Sequence, residues 1–341
     1  MQTNQIYVEP CLETLKKMPD NFLDCVITSP PYWQLRDYGY EGQWGLEPTF
    51  NEYLENLWNM MDEIYRALKP TGTCWINLGD TYNSGGNTRS NKDGQVEGAI
   101  SHQYLENTGF TKTDIKLNGK PKCLLLIPHR FAIGCIDRGW IMRNDIIWAK
   151  RNGMPESCRD RFTKKHEYFF FMTKSEKYYF DLDAIRDKIK YSEPWSKNST
   201  LSDEAHYLIN PRKNQKPKNI KGNITDKGLT RTTAGLSMKS PEEKMNPNGK
   251  NPGSVSDFWD IPTKPSTSEH YASYNDELIR KPILAGCPEG GIVYDPFMGT
   301  GSTAEVCLRS KRLYIGSEMS ENYVKIAEKR LEPFLMQQKL F

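Results

Sequence analysis

No apolar run in this sequence approaches the roughly 18 residues that a bilayer-spanning helix requires. The nearest, Cys123-Leu124-Leu125-Leu126-Ile127, is far too short. The first residues, Met1-Gln2-Thr3-Asn4-Gln5, lack a basic region followed by an apolar one, so no secretory signal is expected and a soluble, cytoplasmic protein is. Eight cysteines (Cys11, Cys25, Cys74, Cys123, Cys135, Cys158, Cys287, Cys307) contain no Cys-x-x-Cys pair, and the five histidines no His-x-x-x-His pair. A metal site or a disulfide framework is therefore not expected, and the cysteines read as buried, reduced thiols. No Gly-Lys-Ser/Thr occurs, which excludes a P-loop, and no internal repeat is evident. Hydrophobic content is low at 37%, with a mean hydropathy of −0.71, so a core of ordinary size accompanied by polar segments is expected.

Charge is present but unevenly spread. Residues 186–255 hold 14 Lys+Arg against 7 Asp+Glu, so this stretch carries +7 within a chain of net charge +3. The same stretch loses hydrophobic period and is dominated by Asn, Lys, Pro, Gly, Ser and Thr. It reads either as a polyanion-binding module or as a solvated linker. Composition thus divides the chain into 1–185, with an exposed insertion at about 82–121, then 186–255, then 256–341.

The ordered parts alternate strand and helix. Strands are expected at 5–8, 24–27, 73–78, 143–150, 167–172, 291–294 and 313–316, and helices at 11–18, 51–68, 128–138, 275–285, 303–308 and 322–331. The runs at 167–172 and 177–180 together suggest a hairpin at one sheet edge. The pattern is that of an α/β fold.

Two strand-end turns stand out. The first, Thr28-Ser29-Pro30-Pro31-Tyr32-Trp33, follows the β-branched run Asp24-Cys25-Val26-Ile27. Two prolines end the strand in a stiff turn, which presents a hydroxyl, carbonyls and two aromatic rings. That suits a planar base bearing an amino group; the plainer alternative is a turn that only ends a strand. The second turn is Asp295-Pro296-Phe297-Met298-Gly299-Thr300-Gly301-Ser302-Thr303, between the strand 291–294 and a helix. Its glycines let backbone approach a ligand, and the helix start offers amides. Glu318, at the end of the next strand, is placed to accept hydrogen bonds from a ribose. Gly299-x-Gly301-x-x-Ala304 also satisfies a loose dinucleotide pattern, so an NAD-dependent oxidoreductase is a rival. In open α/β sheets, ligands collect beyond the carboxyl ends of the strands, where both turns sit.

Taken together, these turns resemble the signature of the S-adenosylmethionine-dependent amino-methyltransferases of DNA: Ser/Asp/Asn-Pro-Pro-Tyr/Phe plus Asp-Pro-Phe-x-Gly-x-Gly-Thr. Their order resembles the permuted, beta-type arrangement of that family, with a target-recognition region between them. His270-Tyr271-Ala272 through Glu277-Leu278-Ile279 is similar to the segment that helps hold the methionine end of the cofactor. The stretch from Trp148 to Arg161, with His166-Glu167, is also family-like. The resemblance implies a Rossmann-like, circularly permuted, mostly parallel methyltransferase fold, with S-adenosyl-L-methionine as cofactor and duplex DNA as partner. A cognate restriction endonuclease is a further expected partner. One departure is Glu9-Pro10-Cys11, where the family has Gly-Asp; Glu9 is the substitute for the adenine contact. Cys11 lacks the surroundings of a cytosine-C5 nucleophile and reads as a helix-start core residue.

On this resemblance the catalytic set is Ser29, Pro30, Pro31 and Tyr32. The cofactor set is Asp295, Pro296, Phe297, Gly299, Gly301, Ser302, Thr303, Glu318, His270 and Glu9. The DNA set is Trp33, Arg36, Arg212, Lys213, Lys216 and Lys218. Ser29 and the Pro30 carbonyl would accept the two hydrogens of an exocyclic amine on a flipped base, with Tyr32 stacked on it. Asp80 reads as a turn cap or a pocket wall. Serine at the first position favours cytosine N4 over adenine N6. A non-catalytic DNA-binding module is the remaining alternative.

Overall fold

The computed structural model describes residues 1–83, 122–153, 156–186, 255–263 and 275–338. The expected insertion and the basic segment lie almost wholly outside these residues. So do His270, Arg212, Lys213, Lys216 and Lys218. Residues Met1–Ile185 and Ser256–Phe341 fall into one compact unit, to which the elements below belong.

The elements are β1 (Gln5–Tyr7), α1 (Cys11–Lys16), β2 (Leu23–Thr28), α2 (Phe50–Ala67), β3 (Leu68–Leu78), α3 (Ile127–Asp137), β4 (Ile141–Ala149) and β5 (His166–Thr173). They continue with α4 (Leu182–Ile185), β6 (Phe258–Asp260), α5 (Asp276–Gly286), β7 (Ile292–Asp295), α6 (Ser302–Arg309), β8 (Leu313–Ser317) and α7 (Glu321–Gln338). One eight-stranded sheet has the order β1-β8-β7-β2-β3-β5-β4-β6. Only β5 runs against its neighbours, pairing antiparallel with both β3 and β4.

Both faces of the sheet are covered, which explains why its strands read as continuous apolar runs. Successive residues point to opposite faces. Val26, Cys74, Ile76, Phe170, Met172 and Tyr294 pack with α1, α2 and α3 in one core. Cys25, Ile27, Trp75, Phe169, Phe171 and Val293 pack with α5, α6 and α7 in the other. Trp75 and Phe171 are cross-strand partners and stack at 4.0 Å between ring centroids.

Local chemistry sets the helix starts. Thr49 accepts a hydrogen bond from the Glu52 amide and caps α2, in the Thr-x-x-Glu spacing of a capping box. Asn275 does the same for α5 through the Glu277 amide.

The hairpin expected from 167–172 and 177–180 does not form. Residues 177–180 are not a strand, and β5 lies inside the sheet rather than at an edge. The aromatic residues there serve packing instead: Tyr178 and Phe180 lie against Phe171, and the Tyr179 amide donates to the Thr71 carbonyl.

Candidate active site

Three neighbouring parallel strands end side by side. β2 pairs with β7 (Val26 with Tyr294), and β7 pairs with β8 (Asp295 with Gly316). Their carboxyl ends deliver Ser29–Tyr32, the Asp295–Thr303 loop and Glu318 to one edge of the sheet. On the other side of β2, parallel β3 brings Gly79 and Asp80 to this edge. Because β5 is antiparallel, its first residues, His166 and Glu167, arrive there too.

Asp295 joins the two turns. It is 1% exposed. Its Oδ1 accepts from Thr28 Oγ1 at 2.6 Å and from the Phe297 amide at 3.0 Å, and its Oδ2 accepts from Thr303 Oγ1 at 2.6 Å. Thr28 immediately precedes Ser29, so one carboxylate ties the start of the Pro-Pro turn to both ends of the Gly-rich loop. Burial pushes its carboxyl up to about 6, against the pull of these donors.

The Gly-rich loop turns through two left-handed glycines, Gly299 (φ 55°) and Gly301 (φ 81°). A Cβ at Gly301 would stand 2.9 Å from the Ala327 Cβ on α7, so only glycine fits there without displacement. A Cβ at Gly299 would meet nothing closer than 4.0 Å; that side of the loop is open. Gly301 caps α6 without a side-chain hydrogen bond. Pro296 is buried, Phe297 half-buried. Ser302 is buried and accepts from Arg330 Nη1 at 2.8 Å. Glu318 accepts from the Gly299 amide at 2.9 Å through one oxygen and from the Ser320 amide at 2.8 Å through the other. Burial raises its carboxyl above the usual range.

Residues 34–48 cross over both turns. The Gln34 amide donates to the Gly45 carbonyl at 2.6 Å, closing this loop on itself next to Tyr32. Further out, the Tyr40 hydroxyl bonds Ser320 Oγ at 2.7 Å, and Trp44 lies edge-on to Phe297 at 5.4 Å. Arg36 lies beside Tyr38 and Tyr323, close to Glu318, and so on the Gly-rich side. Trp33, expected at the DNA, is instead a core residue, 4% exposed. Its indole donates to the Glu47 carbonyl and packs edge-on against Phe50 at the start of α2. Its loop folds back onto α2, which the residue type alone does not reveal. Glu9, expected at the adenine, is held by Thr14 Oγ1 at 2.9 Å and paired with Lys17, next to α1. Cys11 is buried, and its thiol is pushed up to about 12, which suits a core residue and not a nucleophile.

Tyr32 rests on Gly79, where a Cβ would come 2.6 Å from its ring. Its hydroxyl donates its one hydrogen to Glu167 Oε2 at 2.7 Å, lies 3.1 Å from Asn77 Oδ1, and accepts from Ser29 Oγ at 3.4 Å. Lys150 closes the network by pairing with Glu167. Asp80 caps a turn, accepting from the Thr81 and Ile127 amides at 2.8 and 3.1 Å; its Oδ2 is buried without a hydrogen bond. Sequence reasoning gives Glu167, Lys150 and Asn77 no role. The only signal for Glu167 is its place in a family-like stretch.

Comparison with known proteins identifies the family. The model of the N6/N4 methyltransferase family, described as DNA methylase, matches residues 23–329. The chain is 34% identical over 332 residues to the Type II methyltransferase M.SmaI of Serratia marcescens, covering 97% of this chain and 91% of that protein. It is 34% identical over 321 residues to M.Cfr9I of Citrobacter freundii, covering 94% and 85%. Among solved structures, the cytosine-N4-specific PvuII DNA methyltransferase superposes with a TM-score of 0.57 at 16% identity, covering 97% of this chain and 86% of that one. A Thermus thermophilus protein named as a DNA modification methylase, complexed with S-adenosyl-L-methionine, gives a TM-score of 0.52 at 18% identity, covering 97% and 93%. These neighbours share the α/β fold. The sequences of the relatives and the matched family model show that the chain belongs to the N6/N4 family of DNA methylases.

Proposed function

We propose that this protein transfers the methyl group of S-adenosyl-L-methionine to the exocyclic amine of a base flipped out of duplex DNA, with cytosine N4 as the acceptor. One observation carries the reading. The Pro-Pro turn and the Gly-rich loop leave adjacent parallel strands and are joined through Asp295. Any donor held by one therefore faces an acceptor held by the other.

The residues fit the cofactor. The loop is open at Gly299, and Glu318, which takes the amides of Gly299, Ser320 and Met319, keeps one of a carboxylate's roughly four lone-pair sites for a ribose hydroxyl. Phe297 and Trp44 add apolar surface beside it. Pro296, Ser302 and Thr303 shape the loop, and His270 is assigned to the methionine end by the family pattern. The bound cofactor supplies a sulfonium methyl open to in-line attack.

The chain itself prepares the amine. An exocyclic amine is a poor nucleophile because its lone pair is delocalised into the ring. Ser29 Oγ and the Pro30 carbonyl accept its two hydrogens, which favours a tetrahedral nitrogen with a free lone pair. Pro31 stiffens the turn, and Tyr32 offers the ring on which the base stacks. Ser29, the Tyr32 hydroxyl and Glu167 form a hydrogen-bonded chain that ends on a carboxylate. That chain is a path for the proton the amine sheds. Serine at the first position of the turn supports cytosine N4 over adenine N6. The basic segment, including Arg212, Lys213, Lys216 and Lys218, supplies phosphate contacts. The Type II names of the relatives support a restriction endonuclease as cellular counterpart.

Nucleoside mass spectrometry of DNA from cells expressing the protein tests this directly. N4-methylcytosine is the expected product; N6-methyladenine would move the acceptor, and neither would sink the reading. Ser29→Ala should abolish methyl transfer and keep cofactor binding. Full activity in that variant would refute the amine geometry.

A further inference from the structure

The loop between β4 and β5 leaves the sheet at the catalytic edge. Ala149 pairs with His166, and the Lys150 amide donates to the Lys165 carbonyl at 2.8 Å. Residues 150–165 carry Lys150, Arg151, Arg159, Arg161, Lys164 and Lys165 against Glu156 and Asp160. The loop is pinned over the end of β3. The Arg161 guanidinium lies 3.9 Å from the centroid of the Tyr82 ring, and Lys164 donates to the Asp80 carbonyl. Between these two anchors, Phe162 is 96% exposed, the highest value among the large hydrophobic residues described. It joins neither core. Leaving a phenyl ring in water wastes the free energy its burial would release, so the fold gives it no purpose.

We propose that Phe162 is a wedge that enters the base stack of duplex DNA at the gap left by the flipped base. Three observations meet here. The loop is basic, and its exposed Arg159 and Lys165 suit a polyanion. It stands on the strand end next to the Ser29–Tyr32 turn. Its exposed Phe162 is an apolar ring, the kind of group that fills an opened base step and offsets the cost of unstacking. The inference rests on the base-flipping reading given above, and it adds the residue that holds the duplex open.

The test compares Phe162→Ala with the wild-type protein on synthetic duplexes containing the sequence that the wild type methylates in plasmid DNA. In one duplex the target base is normally paired; in the other it lies opposite an abasic site, where flipping costs less. The variant should lose at least about ten-fold in kcat/KM on the paired duplex and recover most of it on the abasic one. Binding of S-adenosyl-L-methionine, followed by calorimetry, should be unchanged. Activity within about two-fold of wild type on the paired duplex would overturn the wedge. So would an equal loss on both duplexes, which would mark Phe162 as a general contact. Failure of the wild type to methylate any DNA would instead refute the underlying reading.

Discussion

Asp295 does two things with one side chain. It is a buried carboxylate with three donors, and it fixes the spacing of the two turns. Its carboxyl titrates at about 6 in the folded chain against an ordinary 3.8. Between those pH values the native chain holds a proton that the unfolded chain has released. Stability from this group therefore rises as pH falls from 7 towards 4, by roughly 3 kcal/mol in all. Asp295→Asn has nothing to titrate and should lose that slope. Urea midpoints of both proteins at about pH 7.5 and about pH 5 measure it; parallel trends would show that Asp295 is not a strained carboxylate. The residue is legible in the sequence as part of a loop motif, but its tie to Thr28 is not, because the two lie 267 positions apart and meet only when β2 pairs with β7. Glu167 escapes for a related reason. An apolar strand does not announce which way it runs, and only antiparallel β5 presents its first residues, rather than its last, to the site.

Among the elements, α2 and α3 show packing overruling propensity. Gly134 lies inside α3, where alanine would be favoured by about 1 kcal/mol. A Cβ there would stand 2.3 Å from the Trp58 indole of α2. That indole cannot swing aside freely: it donates to the Phe131 carbonyl at 3.1 Å and carries the Arg138 guanidinium over its face. Gly134→Ala should therefore destabilise the protein by about 1–3 kcal/mol, as overpacked cores do. Denaturant unfolding checks the sign, and a stabilised variant would show that the interface yields. Helix positions are largely readable from apolar spacing and end signals, within a residue or two for α2 and α3. Residues 177–180 mislead because a run of three consecutive aromatic residues, Tyr178, Tyr179 and Phe180, fits a buried strand and an aromatic cluster equally well. Trp33 follows the same logic: tryptophan suits a pocket wall and a core alike, and the return of its loop to α2 decides the matter.

At the scale of the molecule, strand order turns two separated motifs into one site. β8, β7, β2 and β3 lie side by side and parallel, so every loop at their carboxyl ends opens on the same edge. Alternation of strand and helix makes an α/β sheet legible in the sequence, and the motifs locate its working edge. The inverted strand and the crossing path of residues 34–48 depend on long-range contacts that no local pattern encodes. That crossing path has a consequence for timing. Residues 34–48 begin at the Pro-Pro turn and end at α2, yet they touch Phe297 and Ser320 on the Gly-rich side. On the proposed function, a cofactor bound under them exchanges only when those contacts open, and opening them also loosens the Ser29–Tyr32 turn. Spent cofactor should therefore leave more slowly than the methyl group moves. Rapid-quench measurements with enzyme in excess over DNA give the rate of methyl transfer, and with DNA in excess they should show a burst of one methyl per enzyme followed by a slower steady rate. A linear progress curve from the first turnover would mean that the crossing segment moves freely.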